Sequence, residues 1–241
     1  MNKLRYSELE SQRFGKEIFR GNLDVLDIDL LKDFYKQNNP DILIFRIPVA
    51  EQYKMHLLNG LGKDVINADT LVYYQTDLTK TTYNDVRNKD LVFINGNASH
   101  KGAFEELINQ VFYNYQNHYF SNPLLDRKKI AEGYAEWAVN TLNSSDNLHL
   151  LALSDNIPIG FLTCSYNTEY ADIILNGVLP EYQSKGVYTD MLRHVKKYIH
   201  NLQIPILKVS TQIQNFAVQK VWNRENLVLN SAYVTIHLNK K

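Results

Sequence analysis

The run Val178-Leu179-Pro180-Glu181-Tyr182-Gln183-Ser184-Lys185-Gly186-Val187-Tyr188 joins the end of an apolar strand to the start of a helix across a short polar loop. A helix start leaves its first backbone N–H groups without partners and carries the positive end of the helix dipole, so it attracts an anion. Gly186 allows ligand oxygens to approach the main chain, and Lys185 adds a positive charge. The chemistry this pattern suits is the holding of a pyrophosphate by the amides from Gln183 to Tyr188. Taken alone, the segment is equally well explained by a loop glycine beside a solvated lysine.

The surrounding elements bear on that choice. Ile42 to Ile47 reads as a strand, followed by a helix in which Val49, Tyr53, Leu57 and Leu61 recur at a spacing of four, closed by Gly62. Leu71 to Tyr74 is a second β-branched and aromatic run, and the stretch from Thr76 to Asp90 is polar without an apolar period. A boundary is therefore placed at 86/87, giving units 1–86 and 87–241. In the second unit, Leu91 to Ile94 is a strand. Phe104, Leu107, Ile108, Val111, Phe112, Tyr115 and Tyr119 then form an apolar stripe at helical spacing. Asn122-Pro123 reads as an N-cap and first helical residue, opening a helix with Ile130, Tyr134, Trp137 and Ala138 on one face. Leu148–Leu153, Ile157–Tyr166 and Ala171–Leu179 form a three-stranded meander. Helix Gly186–His200, strand Ile206–Thr211, helix Asn215–Glu225 and strand Val234–Leu238 follow. The order is β-α-α-β-β-β-α-β-α-β.

Composition narrows the partners. Among 241 residues, 26 Lys and Arg balance 26 Asp and Glu, without the basic excess that binding to a phosphate backbone requires, so no nucleic acid is expected. A single cysteine, Cys164, forms no internal disulfide. It sits mid-strand, where a small buried hydrophobe is the expected role, and no Cys/His spacing marks a metal site. No apolar run approaches a membrane span or signal core, so a cytoplasmic protein without membrane contact is expected. The 16 tyrosines suit pockets where flat rings also donate hydrogen bonds.

The loop resembles that of the GNAT superfamily of acyl-CoA-dependent N-acyltransferases, written Q/R-x-x-G-x-G/A after a strand carrying V-x-P. Gln183, Gly186, Val178 and Pro180 stand in place, and Tyr188 occupies the last G/A position. A second family phrase, N-x-x-A-x-x-x-Y-x-x-x-G-F, is similar to Asn215, Val218, Trp222, Asn226 and Leu227. Here Trp222 replaces the tyrosine that many relatives use as general acid, and Asn226 replaces the helix-ending glycine. The element order over roughly 88–241 is also similar. The resemblance implies an α/β fold: a GNAT-like mixed, mostly antiparallel sheet flanked by helices, with a smaller N-terminal α/β partial domain. Within the superfamily, the chain resembles the TDP-fucosamine acetyltransferases and related enzymes acting on dTDP-linked amino-dideoxyhexoses. The residues that carry this are Phe14-Gly15, the stretch from His118 through Tyr119 and Asn122 to Pro123, Tyr134 and Trp137, and the junction Thr211-Gln212 to Asn215.

This resemblance implies acyl-CoA as cosubstrate, with no metal. Val178, Gln183, Ser184, Lys185, Gly186, Val187, Tyr188, Gln212 and Asn215 would contact it, and main-chain N–H groups around Asn176 and Val178 would serve as the oxyanion contact. Phe14, Tyr119, Asn122, Tyr134, Trp137 and Thr211 would bind a dTDP-amino sugar destined for surface polysaccharide. Acetyl or a short hydroxyacyl such as 3-hydroxybutanoyl would be the group transferred. The amine position, C3 or C4, and a homodimeric assembly are left open. A sugar amine titrating near 8 reaches its neutral form at pH 7 for roughly 1.4 kcal/mol, and a thiol of pKa about 8.5 leaves without a dedicated acid. If a side chain takes the proton, His118, Asp172 and Glu169 are the candidates. The spacing of Tyr115, Tyr134 and Trp137 also suits plain core residues, a solvated charge explains Asp172 and Glu169, and a surface or capping role explains His118. Two other functions stay open: acylation of a protein or peptide amine, and a non-catalytic CoA-sensing module in which Trp222 reflects lost catalysis.

Overall fold

The strands read along the chain, with two short ones near its start, assemble into one ten-stranded sheet. The computed structural model describes residues 3–113, 115–142, 144 and 146–241. In chain order the elements are β1 (Lys3–Tyr6), α1 (Glu8–Phe14), β2 (Ile18–Asn22), α2 (Ile28–Asn38), β3 (Ile42–Pro48), a 3₁₀ helix (Val49–Leu61) and β4 (Asp64–Asp77). There follow β5 (Val92–Asn95), α3 (Lys101–Phe112), a 3₁₀ turn (His118–Ser121), α4 (Lys128–Asn140), β6 (Asn147–Ser154), β7 (Ile157–Tyr166) and β8 (Tyr170–Val178). Last come α5 (Val187–Asn201), β9 (Ile206–Gln212), α6 (Phe216–Arg224) and β10 (Val228–Asn239). The spatial order is β1-β2-β3-β10-β4-β9-β8-β7-β6-β5. Every neighbouring pair is antiparallel except β2 with β3 and β8 with β9.

The two units expected from sequence share this sheet. β10 lies between β3 and β4, and β4 in turn pairs with β9, so strands from either side of 86/87 alternate. The polar stretch at that boundary is tied down by charge. The Asp190 carboxylate, buried on α5, accepts from the N–H groups of Arg87 at 2.9 Å and Asn88 at 3.0 Å. Arg193 donates to the Asp85 carbonyl at 3.0 Å and forms a two-pronged ion pair with the buried Glu225 carboxylate at the end of α6. A forked guanidinium on a desolvated carboxylate fixes the linker, α5 and α6 relative to one another.

Apolar side chains cover both faces. α5 and α6 press Met191, Leu192, Val195, Ile199 and Trp222 onto Leu150, Leu162, Ile173 and Leu207. On the other face α3 and α4 pack Phe104, Ile108, Phe112 and Ala138 onto Leu151, Phe161 and Leu175. Leu43, Phe45 and Ile47 of β3 meet α2 and the 3₁₀ helix, whereas the opposite face of β3 carries Ile42 and Ile44 toward Phe14 and Tyr119.

Several local expectations are corrected. Residues 49–61 wind as a 3₁₀ helix, in which a spacing of four walks around the axis instead of marking one face, and Tyr53 is 71% exposed. The helix expected from Asn122-Pro123 begins at Lys128; the Asn122 side-chain Oδ1 instead accepts from the Leu124 N–H and caps the turn there. β10 starts at Val228, well before the expected Val234, because its exposed first residues carry no inward alternation.

Candidate functional site

β8 and β9 part in the middle of the sheet. Their parallel pairing runs from Tyr170 opposite Ile206 to Ile173 opposite Val209 and then stops, although β8 continues to Val178 and β9 to Gln212. Each strand keeps its other neighbour: β7 holds β8 as far as Val178, and β4 holds β9 as far as Gln212. The parting begins at a bulge. Ile173 faces Cys164 and Leu175 faces Thr163, leaving Ile174 as the extra residue. Ile173 therefore packs under α5 and α6 while Leu175, two residues on, packs under α3 and α4, a reversal that an unbroken strand forbids. The Thr163 hydroxyl oxygen accepts the displaced Leu175 N–H at 3.1 Å.

This bend exposes main-chain donors. The Leu179 N–H reaches the Ile159 carbonyl on β7 at 2.9 Å, so alternation along the strand turns the amides of Val178 and Asn176 the other way, into the gap. The Val178 carbonyl, on the same side, accepts from Gln183 Nε2 at 3.0 Å. Gln183 thereby fastens the loop to the strand end. Ser184 and Gly186 both take left-handed backbone, with φ of 62° and 85°, and lift the chain into α5. The first turn of backbone bonding closes from the Asp190 N–H to the Gly186 carbonyl at 3.0 Å, so the amides of Val187, Tyr188 and Thr189 precede the helical ladder. A Cβ on Gly186 would touch nothing within 4 Å, so the requirement for glycine there is conformational. Lys185 lies outside the cleft wall, its ammonium 5.3 Å from the centre of the Tyr182 ring.

Across the gap, Asn215 caps α6, accepting from the Val218 N–H and donating to Thr211 Oγ1 at 3.0 Å. Asn215 lines the cleft while its side chain binds α6 to the end of β9. Trp222 is fully buried, 5.2 Å from the Tyr74 ring, and its indole N–H donates to the Tyr188 hydroxyl at 2.8 Å. Burial pushes the Tyr188 phenol above its ordinary pKa.

Gap, loop and α6 open into a cleft of about 2280 Å³ that continues beneath α1, the 118–121 turn and α4. Phe14, His118, Tyr119, Tyr134, Trp137, Asp172, Asn176, Thr211 and Gln212 all line it. Phe14 lies against Tyr119 with ring centres 5.8 Å apart, and Tyr134 stacks on Phe112 at 4.4 Å. Trp137 is 48% exposed, which corrects its reading as core and leaves a broad ring on the cleft wall. The Tyr115 hydroxyl donates to the Gln212 side-chain oxygen, and Gln212 Nε2 reaches Asp69 Oδ2 at 3.5 Å. Burial raises the Asp172 carboxyl, partly offset by Lys208, with which it pairs across the strands. Glu169 lies exposed in the turn before β8, away from the cleft.

His118 is buried, contrary to its alternative reading as a surface residue. Its Nδ1 lies 2.9 Å from His237 Nε2, and burial, with the neighbouring His237 and the charges of Arg46 and Arg20, holds it neutral. Asn122 is corrected as a substrate contact. It is buried outside the cleft wall, bonded reciprocally to Asn239 at 2.8 and 3.0 Å and to His237 at 3.0 Å, so no polar atom is free for a ligand. Sequence reasoning also missed Asp69, a carboxylate whose pKa burial raises and whose Oδ1 has no partner among the described residues. An acidic residue within the otherwise strand-forming β4 was its only signal. Among the described residues no cluster of metal-binding side chains occurs, and no helix is long and apolar enough to cross a membrane.

A parallel pair splayed at a bulge, with a glycine-opened helix start beside it, defines the GNAT acetyltransferase fold. Residues 109–226 match the family described as the Acetyltransferase (GNAT) family. No curated protein matches the sequence. Among solved structures, a conserved protein of unknown function from Staphylococcus epidermidis is similar over 100% of this chain and 92% of its own, with TM-score 0.67 and 15% identity. A GCN5-related N-acetyltransferase from Sphaerobacter thermophilus is similar over 81% of this chain and 59% of its own, with TM-score 0.62 and 11% identity. A tandem GNAT protein from the clavulanic acid biosynthesis pathway is similar over 86% of this chain and 67% of its own, with TM-score 0.60 and 11% identity.

Proposed function

We propose that the protein transfers an acyl group from acyl-CoA to the amino group of a dTDP-linked amino-dideoxyhexose. The observation that carries acyl transfer is the gap between β8 and β9 lying directly beside the start of α5. The Gln183 N–H is taken by the Pro180 carbonyl at 3.2 Å, so in this reading the cosubstrate's pyrophosphate rests on the amides from Ser184 to Tyr188, and its thioester enters the gap. The thioester oxygen accepts from the main-chain N–H groups of Val178 and Asn176, which face the gap and require no reorganisation. The amine lone pair attacks the carbonyl carbon, the C–N bond forms, and the C–S bond breaks to release the thiolate. The amine's surplus proton passes through water, since an amine near 8 and a thiol of about 8.5 need little assistance at neutral pH.

The acceptor half supports a sugar nucleotide through its rings. Phe14, Tyr119, Tyr134 and Trp137 offer flat faces on the cleft wall, which suit a pyrimidine and a deoxygenated sugar edge. Acetyl and 3-hydroxybutanoyl are the groups to test first. Purified protein is assayed against dTDP-amino-dideoxyhexoses bearing the amine at C3 or C4, with acetyl-CoA and hydroxyacyl-CoAs, by release of free thiol. Turnover with one dTDP-sugar and none with peptide amines is the expected result. Turnover with peptide amines alone would replace the acceptor, and absence of CoA binding would overturn the whole reading.

A further inference from the structure

The face of β1, β2 and β3 that lines the cleft carries a row of like charges. Arg5 on β1 stands directly opposite Arg20 on β2. Asn22, two residues beyond Arg20 and so on the same face, stands opposite Arg46 on β3. All four residues line the cleft. Directly opposed like charges on neighbouring strands are destabilising, and diagonal neighbours about 7–8 Å apart still interact. The protein offsets the row only in part. Arg20 is paired with buried Glu10 at 3.0 Å, and Glu10 also accepts from the Tyr119 hydroxyl. Among the described residues neither Arg5 nor Arg46 forms an ion pair. Arg46 uses its Nε on Thr235 Oγ1 at 3.2 Å. On the far side of Thr235, two strands away, lies Asp69, whose pKa burial raises while Thr235, Arg46 and Gln212 offset part of the rise. The crowding is felt by the neighbours: burial chiefly depresses the pair His118 and His237, and Arg20 and Arg46 both add to it.

We propose that Arg5, Arg20 and Arg46 form the seat for a diphosphate on the acceptor, separate from the anion site at the start of α5. This rests on the acyl-transfer reading above but not on the acceptor's base or sugar. Two guanidiniums without an ion-pair partner among the described residues, in one cleft, suit a ligand with about two negative charges, and the planar fork of arginine matches phosphoryl oxygens. The position also fits. Three strand steps, β9 to β4 to β10 to β3, separate the gap from Arg46, which is about 14 Å between backbones. An aminohexose with its amine at the gap and its diphosphate toward β3 spans that distance once an arginine side chain reaches back. The row thus selects for an anion on the acceptor beyond its sugar ring.

The test measures inorganic pyrophosphate, dTDP and succinate by calorimetry on full-length protein saturated with CoA, so that the α5 start is already occupied. Wild type is expected to bind pyrophosphate, and Arg46→Gln and Arg5→Gln each to weaken it about tenfold or more, roughly the loss of one charge-assisted pair. CoA affinity should stay within about twofold in both variants, which also reports that they fold. Pyrophosphate binding that is absent in the wild type, or equal in wild type and variants, would overturn the proposal. Succinate binding as tightly as pyrophosphate would overturn the choice of a diphosphate. If dTDP binds no more tightly than pyrophosphate, the diphosphate seat stands and the thymidine nucleotide falls.

Discussion

Trp222 and Tyr188, the two positions at which the chain departs most from the GNAT phrases, are bonded to each other: the indole N–H donates to the phenol oxygen at 2.8 Å. The indole N–H at 222 thus finds its acceptor in the phenol at 188. The paired change preserves packing between α5 and α6, where Trp222 is fully buried.

That pairing makes Trp222 a packing residue. Trp222→Phe is expected to keep turnover within about tenfold, an allowance of roughly 1.4 kcal/mol on the barrier. It should destabilise the fold by about 1–3 kcal/mol through lost contact area and an unmet phenol oxygen. Steady-state kinetics and urea unfolding check the two figures. A loss of turnover far beyond tenfold in a stably folded variant would assign the indole a chemical role.

The pH profile follows from the same contact. Burial raises the Tyr188 phenol above its ordinary pKa, so it stays protonated across the working range. The rate should rise through the amine's titration near 8 and then level. Tyr188→Phe should leave that shape unaltered. A descending limb that disappears in Tyr188→Phe would show that the phenol protonates the leaving thiolate.

Gly186 adopts φ of 85°, which a branched residue resists. Gly186→Val is expected to raise the KM for acyl-CoA by at least about tenfold, because the valine strains the turn that presents the amides. The KM for the acceptor should change much less. Equal KM values for acyl-CoA in the wild type and a folded variant would remove the pyrophosphate from this loop.

The buried imidazoles couple stability to pH. Burial, with the charges of Arg20 and Arg46, lowers the His237 pKa to about 3, and His118 is likewise held well below its ordinary value. A depressed histidine means that the unfolded chain binds the proton first, near 6.5. Their contribution is therefore complete above that pH and is lost as pH falls toward the folded values. Between pH 6.5 and 5 the neutral His237 accounts for about 2 kcal/mol of that loss. Urea unfolding at pH 7 and pH 5 should show a drop that His237→Gln diminishes. The same drop in both proteins would contradict a neutral pair.

What the sequence made legible was local. The strand end, Gln183, the left-handed Gly186 and the amphipathic α5 lie within one short stretch, and the element order from β5 to β10 follows from periodicity. Features that depend on register between distant segments did not show. The bulge at Ile174 exists only because Thr163 and Cys164 of β7 meet Leu175 and Ile173. β4 reads as a strand of the first unit, yet it lies between β9 and β10. The arginine row is invisible until β1, β2 and β3 are set side by side, since Arg5, Arg20 and Arg46 have no common spacing along the chain. Asn122 reads along the chain as a substrate contact, yet its partners Asn239 and His237 lie more than a hundred residues away, so its internal role shows only in the fold.

The most direct test of acyl-CoA binding at this gap is titration of isotope-labelled wild-type protein with CoA, following backbone amide resonances. The account predicts that the largest shifts fall on Gly186, Val187 and Tyr188 at the start of α5 and on Asn176 and Val178 along the open edge of β8. Shifts absent from these amides at saturating CoA, or concentrated on another part of the sheet, would contradict it.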